Sequence, residues 1–250
     1  MQPMKIEIWS DVVCPWCYIG KRRFESALER FAHRDQVQVV WRSFELDPRA
    51  PRRSPGSLND YLARKIGGSV AQAAAMNAQV SALAAKEGLD YQLDRAKHGN
   101  SFDAHRLIHL AASHGLQAQA KERLLRAYFT DGLPIGDPDT LVTIGAELGL
   151  SADDVRAMLD GDAYADDVRA DERRAAAFGI SGVPFYVIDE QYGVSGAQDP
   201  AMFLGALEQA WAESHPLTLV GAPAAQVGSC DDGSCAVVPG TLDDDHPVRE

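Results

Sequence analysis

Apolar positions near the start of the chain first follow the period of a strand and then the period of a helix. In MKIEIWS, Ile6 and Ile8 alternate imperfectly with their neighbours, which indicates a β-strand buried on both faces. Downstream, Phe24, Leu28 and Phe31 are spaced i, i+4, i+7 and predict an amphipathic helix that ends near HRD. VQVVWRSFEL is rich in β-branched and aromatic residues and predicts a second strand. The chain therefore begins with a β-α-β unit.

A long helical region follows the proline-rich stretch DPRAPRRSPG, which interrupts regular structure. From Ser57 to Gly179 successive segments have helical patterns, and many of them open on Ser or Asp and close on Gly, as capped helices do. The one strand candidate in this region, LDYQLD, is too short to count as a strand. The pattern predicts an all-helical insertion.

Strand patterns return after Gly179. GVPFYVID and YGVSGAQ predict a hairpin with its turn near 189–191, and DPAMFLGALEQAWAES predicts a final amphipathic helix. The core candidates of this helix are Met202, Leu204, Leu207 and Trp211. The remainder of the chain is rich in Pro, Gly and Asp and predicts an irregular tail.

Together these patterns predict an α/β protein in which two separated segments complete one sheet. We expect residues 1–56 and 180–216 to form a discontinuous sheet domain, residues 57–179 a helical insertion, and residues 217–250 a tail. The apolar fraction of 46% is sufficient for a hydrophobic core.

Composition and charge narrow the partners and the location. The formal net charge of −12 argues against nucleic acid as the main partner. No run of about 18 apolar residues occurs, so no membrane span is expected. The first residues resemble a strand rather than a secretory signal, and we therefore expect a cytoplasmic protein. In a reducing compartment, paired cysteines are more often catalytic or metal-binding than structural.

Two of the four cysteines stand in Cys14-Pro15-Trp16-Cys17, where the first strand meets the first helix. The N–H groups and partial positive charge of a helix start stabilise a thiolate, which is the reactive form of cysteine. Pro15 suits the first helical turn, and Cys17 lies one turn on, where it can resolve a mixed disulfide at Cys14. We therefore expect Cys14 to have the lower pKa and the greater exposure. A chance pair of buried cysteines and half of a zinc site are the alternatives.

Cys230 and Cys235 form a second pair in the tail, within GSCDDGSC. Asp-Asp-Gly is a turn composition that lets the two sulfurs meet, and the acidic neighbours should raise the pKa of both thiols. The linker over residues 217–229 spans at most about 43 Å at about 3.3 Å per residue, enough to reach the first pair. An electron relay, a structural clip and a metal site stay open, and the relay is our hypothesis.

The stretches WSDVVCPWCYIG and GISGVPFYVI resemble the DsbA-type branch of the thioredoxin fold, and more closely its FrnE-like, 2-hydroxychromene-2-carboxylate isomerase-related group. The resemblance covers roughly residues 4–215 and implies a thioredoxin-like sheet interrupted by an all-helical inserted subdomain. It further implies a cis bond at Val183–Pro184 that faces the cysteine pair, with the Val183 backbone offered to a substrate peptide. Asn100 and His105 in NSFDAHRLIHLA, and Trp16, would line the substrate site.

His105 and His109 also have the i, i+4 spacing that can hold a metal ion. No acidic residue of the H-E-x-x-H kind stands between them, so we expect helix-surface histidines and assign no metal.

The resemblance implies a thiol–disulfide oxidoreductase or isomerase, with Cys14 attacking and Cys17 resolving disulfides of proteins or of glutathione. We expect no cofactor beyond the redox-active disulfide, with glutathione as a candidate co-substrate and a thiol reductant or glutathione as the recycling partner. Two alternatives stay open: a glutathione-dependent small-molecule isomerase or transferase, whose first cysteine is commonly a serine, and a non-redox peptide-binding holdase. Pro15-Trp16 lacks the histidine of strongly oxidising members, so we expect isomerase or reductase activity.

Overall fold

Strands form at the four places where the sequence predicts them, in a computed structural model that describes residues 3–216. They are β1 (Met4–Ser10), β2 (Val37–Ser43), β3 (Phe185–Ile188) and β4 (Tyr192–Ser195). Their order in the sheet is β2-β1-β3-β4, with β1 parallel to β2 and β3 antiparallel to both β1 and β4. The β-α-β and β-β-α segments therefore complete one sheet, and the α/β expectation is confirmed.

Along the described part of the chain, seven of the nine α-helices lie between β2 and β3. They are α1 (Pro15–Arg30), α2 (Leu58–Ile66), α3 (Val70–Lys86), α4 (Phe102–Ser113), α5 (Gln117–Arg126), α6 (Pro138–Glu147), α7 (Ala152–Asp160), α8 (Ala165–Ala177) and α9 (Pro200–Ser214). None of the helices among residues 3–216 has the length and apolar composition that a membrane span requires.

The helix ends use the caps that the sequence predicts. Serine or aspartate side chains cap the starts of several helices: Ser57, Ser69, Asp137 and Ser151. Within the described residues, the chain up to Ser214 forms one compact unit. The boundaries proposed at residues 56/57 and 179/180 stay a prediction, and the predictions for the Cys230/Cys235 tail lie outside the described residues.

The hairpin between β3 and β4 turns where the sequence predicts. Residues 189–191 connect the paired residues Ile188 and Tyr192. Asp189 and Glu190 have left-handed backbone, with φ of 47° and 59°, and the Gln191 N–H donates to the Ile188 carbonyl at 3.0 Å to close the turn. The Asp189 carboxylate also accepts the Lys5 N–H at 2.7 Å, which fixes the turn against β1.

Helices α1 and α9 cover one face of the sheet with aromatic side chains. The Phe203 ring centroid lies 5.7 Å from that of Phe24 and 4.6 Å from that of Tyr186. Leu207 is fully buried as predicted, whereas Met202 is 47% exposed and its assignment to the core is wrong. The helical phase places Phe203 toward the sheet instead. Partly buried side chains complete this core: Leu204 and Trp211.

The opposite face of the sheet carries buried charge. The Glu7 carboxylate on β1 is buried, and it accepts hydrogen bonds from Arg42 at 2.8 Å and from Arg174 at 2.7 Å. Arg42 also donates to Asp171 at 3.0 Å. Because Arg174 and Asp171 belong to α8, these ion pairs attach the helical region to the sheet.

Candidate active site

Cys14 and Cys17 lie at the start of α1, as the sequence predicts. Cys14 is the N-cap residue with extended backbone (φ −90°, ψ 114°), Pro15 is the first helical residue, and the Cys17 N–H donates to the Cys14 carbonyl at 3.1 Å. Both are free thiols, with exposed fractions of 3% for Cys14 and 1% for Cys17. The two thiols therefore lie one helical turn apart at the start of α1, and Cys14 is the more exposed by a small margin.

The loop that precedes β3 faces Cys14. The Val183–Pro184 peptide bond is cis, as the resemblance implies, and the Cys14 thiol lies 3.5 Å from the Val183 carbonyl oxygen. The Pro184 carbonyl accepts the Gly196 N–H at 2.8 Å, so the following backbone is already paired. The Val183 N–H has no acceptor among residues 3–216, which leaves it free for the carbonyl of an extended peptide.

The two thiols share a hydrogen bond but have different surroundings. That hydrogen bond with Cys17, together with burial, raises the pKa of Cys14 well above its usual range. Burial also opposes ionisation of Cys17, yet the hydrogen bond from Cys14 and the charge of Lys121 lower the pKa of Cys17. The expectation that Cys14 has the lower pKa is therefore wrong for the reduced pair, because the hydrogen bond between the thiols, and then the charge of Lys121, favour a thiolate at Cys17.

Lys121 is a buried cation beneath the pair. It belongs to α5, its Nζ donates to the Ser10 carbonyl at 3.1 Å, and it lies 5.7 Å from the centre of the Trp41 ring. Burial lowers the pKa of Lys121 to about 8, and the negative charges of Cys17 and Asp11 oppose that decrease. Lys121 therefore carries its charge at neutral pH and titrates only slightly above it.

Asp11 is a buried carboxylate three residues before Cys14. Its Oδ2 accepts the Leu46 N–H at 2.8 Å, and its Oδ1 lies 3.4 Å from His105 Nε2. Burial raises the pKa of Asp11, but the hydrogen bond and charge of His105 outweigh it and hold that pKa below its usual range. A carboxylate and two nitrogen bases, His105 and Lys121, thus lie close together near the cysteine pair.

Asn100 and His105 occupy different positions relative to the site. Asn100 donates to Glu45 at 3.2 Å and accepts the Phe102 N–H at 2.9 Å, which orders the backbone at the start of α4. His105 is buried and contacts Asp11. Contact of either residue with a substrate stays a prediction, as does that of Trp16, which is 42% exposed in the first turn of α1.

His105 and His109 are not the surface histidines that their spacing suggested. Both turn toward the sheet, where His109 Nε2 lies 3.1 Å from Ser43 Oγ and 3.2 Å from Asp171 Oδ2. Each histidine therefore has a carboxylate of its own. No group of three or more His, Cys, Asp or Glu side chains suited to a metal ion occurs within the described part of the chain.

Gly20 allows α1 to approach the cis-proline loop closely. A Cβ at this position would lie 2.7 Å from Tyr186 Oη and 3.0 Å from Pro184 Cγ, inside normal contact distance. The helix that carries the cysteines and the loop that faces them are therefore packed directly against each other.

Asp11 and Lys121 are site residues that the sequence reasoning missed. Asp11 was detectable, because a carboxylate three residues before a reactive cysteine must lie in the same turn. Lys121 was not, because only the packing of α5 beneath the sheet brings it to the cysteine pair.

Comparison with known families matches residues 5–208 to the DSBA-like thioredoxin domain. Among solved structures, the probable DsbA oxidoreductase SCO1869 from Streptomyces coelicolor is 47% identical and superposes with a TM-score of 0.82, over 95% of this chain and 100% of that chain.

Two further structures share the fold at low identity. One is 2-hydroxychromene-2-carboxylate isomerase (13% identity, TM-score 0.65, 84% of this chain and 98% of that chain). The other is the cytosolic disulfide reductase DsbM from Pseudomonas aeruginosa (17% identity, TM-score 0.57, 83% and 98%), which has also been solved with GSH. The thioredoxin-like fold and the DsbA-type resemblance of the sequence are confirmed.

Proposed function

The chain belongs to the family of DSBA-like thioredoxin domain proteins, and from this we propose that it is a thiol–disulfide oxidoreductase and isomerase that acts through Cys14 and Cys17. The observation that carries the proposal is the position of two free thiols at the start of α1, against the Val183–Pro184 loop. The substrates are protein disulfides or glutathione disulfide, and a thiol such as glutathione recycles the enzyme. A cytoplasmic location stays a prediction.

The exchange starts with a proton shift inside the pair. The Cys14 proton passes to the Cys17 thiolate along their shared hydrogen bond, so that Cys14, which contacts the Val183 carbonyl, attacks as a thiolate. Attack forms a bond from Cys14 to one substrate sulfur, breaks the substrate S–S bond and releases the other sulfur as a thiolate. That leaving thiolate takes up a proton.

Resolution then uses Cys17. Cys17 loses its proton and attacks the Cys14 sulfur, which closes the Cys14–Cys17 disulfide and releases the second substrate thiolate. The substrate gains two electrons from the enzyme pair. The pair releases its single proton, and the other proton that the two substrate thiols take up comes from solvent. The charge of Lys121 favours the thiolate form of Cys17 that this step needs.

A redox titration tests the proposal. The protein is equilibrated in glutathione buffers of graded potential, and alkylation with mass spectrometry reports each cysteine pair separately. We expect a two-electron transition of Cys14/Cys17 between about −120 mV, the DsbA value, and about −270 mV, the thioredoxin value. Absence of a transition, with glutathione or metal retained on the protein, would contradict it and favour the glutathione-dependent isomerase or a metal site.

For the tail, we propose that Cys230 and Cys235 relay electrons to Cys14 and Cys17. Support comes from the sequence alone, namely the turn-forming Asp-Asp-Gly between the cysteines and a linker long enough to reach. The double variant Cys230→Ser/Cys235→Ser should slow reactivation of Cys14/Cys17 by the thiol reductant. Unchanged turnover and reactivation rates would rule the relay out.

A further inference from the structure

A cavity of about 580 Å³ opens beside the cysteine motif, and Pro15 and Trp16 form part of its wall. Helices α2 and α3 supply most of the remainder. Its inner surface is largely apolar: Leu58, Leu62, Val80, Leu83, Leu93 and Phe129. The exchange reaction itself needs only the two thiols and the Val183–Pro184 loop, so the cavity requires a separate explanation.

The mouth of the cavity is unusually apolar for a protein surface. Four of the seven large hydrophobic side chains that are exposed among the described residues line it: Trp16, Leu46, Ile66 and Met76. A small molecule inside the cavity would leave this rim in water. A polypeptide segment laid across the mouth would cover it, and clustered exposed apolar side chains are typical of surfaces that bind other proteins.

A cationic groove continues from the cavity. The groove, of about 440 Å³, shares Lys65 with the cavity and adds Arg49 and Arg64. The carboxylate in its lining, Asp47, accepts a hydrogen bond from the Tyr61 hydroxyl at 2.7 Å and lies 4.0 Å from Lys65 Nζ, so it compensates Lys65 only in part. Arg49 and Arg64 have no ion-pair partner within 4 Å among residues 3–216. In a chain of net charge −12, this local excess of positive charge favours an acidic ligand.

We propose that the cavity and the groove select protein substrates by the sequence around their disulfide. A large apolar side chain close to the substrate cysteine fills the cavity, and an acidic residue beyond it lies against Arg49, Arg64 and Lys65. This inference rests on the proposed function, because it concerns which disulfides reach Cys14. It adds a preference for apolar and acidic flanks that the exchange chemistry does not require.

Three disulfide-bonded peptides test the substrate side. The first carries Trp near one cysteine and two Glu beyond it, the second has Ser in place of Trp, and the third has Lys in place of both Glu. We expect kcat/KM for reduction, with glutathione as the recycling thiol, to fall at least about 10-fold from the first peptide to the second, since the Trp loses its apolar burial. At low salt, kcat/KM for the third peptide should be lower than for the first. The two values should approach each other as added salt screens the charges.

Protein variants test the cavity side, and the quantity compared is the Trp-to-Ser ratio of kcat/KM within each variant. This ratio cancels any change in the exchange chemistry. Met76→Gln and Ile66→Gln should each lower the ratio several-fold. Met202→Gln is the matched control, because Met202 is similarly exposed but lies on α9.

A second pair of variants tests the groove. Arg64→Gln should weaken the preference for Glu over Lys in the peptide. Arg30→Gln is the matched control and should leave this preference unchanged. Both arginines stand in the last turn of a helix, so removing either has the same effect on its helix end.

The outcomes separate this inference from the proposed function. If glutathione disulfide is not reduced and Cys14/Cys17 show no redox transition, the proposed function fails. If glutathione disulfide is reduced but the Trp-to-Ser ratio is near one, only the inference fails. Saturable binding of a small apolar carboxylate in the cavity, or self-association abolished by Met76→Gln, together with a ratio near one, would assign the cavity to those occupants instead.

Discussion

Lys121 is the residue outside the cysteine pair that does most to lower the pKa of Cys17. It is buried, has no carboxylate in hydrogen-bonding contact among residues 3–216, and donates to the Ser10 carbonyl, so its charge is little screened by water. Cys17 is the thiol whose pKa this charge lowers. One lysine on α5 therefore adds to the hydrogen bond from Cys14 in favouring a thiolate at Cys17.

Lys121→Met should raise the pKa of the Cys17 thiol, because it removes the cation and keeps most of the side-chain volume. The measurement is thiolate absorbance near 240 nm against pH for the reduced protein. Lys86→Met, at an exposed lysine on α3, is the control. A titration curve identical to that of the native protein would show that Lys121 does not act on the pair.

His98 should make stability depend on pH. Burial lowers the pKa of His98 to about 4, and its ring stacks on Tyr61 with centroids 3.6 Å apart. The unfolded chain takes up a proton near pH 6.5 and the folded chain does not, so stability is full above about pH 6.5 and falls toward pH 4. The loss is on the order of 3 kcal/mol over that window.

We therefore expect His98→Gln to flatten this part of the pH profile, as measured by urea unfolding at several pH values between 4 and 7. His114→Gln, at an exposed histidine, should leave the profile as it is. An equally steep decrease for the His98 variant would show that other groups cause it.

At the scale of elements, the site depends on how tightly α1 packs against the loop before β3. Gly20 is one turn beyond Cys17, and the space for its Cβ is filled by Tyr186 and Pro184. Gly205, in the middle of α9, is different, because a Cβ added there would have no neighbour within 4 Å among residues 3–216. The two helical glycines therefore have opposite packing constraints.

Gly20→Ala should separate α1 from the cis-proline loop, lower exchange activity and reduce stability by about 1–3 kcal/mol through overpacking. Gly205→Ala should instead raise stability by about 0.5–1 kcal/mol, because alanine favours a helix more than glycine. Thermal unfolding and disulfide reduction rates measure both effects. Equal behaviour of the two variants would contradict the packing argument.

Secondary-structure elements can be predicted from the sequence where residues close together in the chain determine them. Strands, serine caps and the hairpin turn follow from residue type and spacing, and the Cys14–Cys17 position follows from the strand–helix junction. Lys121 and the burial of His105 were not predictable, because both depend on which face α4 and α5 present to the sheet. The lower pKa of Cys17 is not predictable for the same reason: the sequence shows the helix start, but neither the hydrogen bond between the thiols nor the cation from a distant helix.

At the scale of the whole molecule, buried ion pairs attach the helical region to the sheet beside an apolar cluster of Trp9, Ala175, Ile180 and Val187. Glu7 is buried and bonded by Arg42 and Arg174, and the arginines and burial have opposite effects on its pKa. The arginines outweigh burial and lower the pKa of Glu7. Removing the carboxylate charge leaves the positive charges of the two guanidinium groups less compensated, in a place that water reaches only in part.

Glu7→Gln should lower the free energy of unfolding by about 2–4 kcal/mol at neutral pH. Because the pKa of Glu7 is lowered on folding, its contribution is present above the usual carboxyl range and is lost as pH falls through the lowered value. The difference between native protein and variant, measured by denaturant unfolding, should therefore shrink in acid. Glu29→Gln, at an exposed position, is the control, and a constant difference at all pH values would contradict the assignment.

The insertion of seven helices between β2 and β3 also orders events during synthesis. β1, α1 and β2 leave the ribosome before β3 exists, since roughly 140 residues separate Ser43 from Phe185. At about 5–20 residues per second, that interval lasts about 7–28 s. Throughout it the nascent chain presents Cys14 and Cys17 without the Val183 loop that later covers them. The newly made protein thus passes through a period in which its thiols meet cellular oxidants before it can select its own substrates.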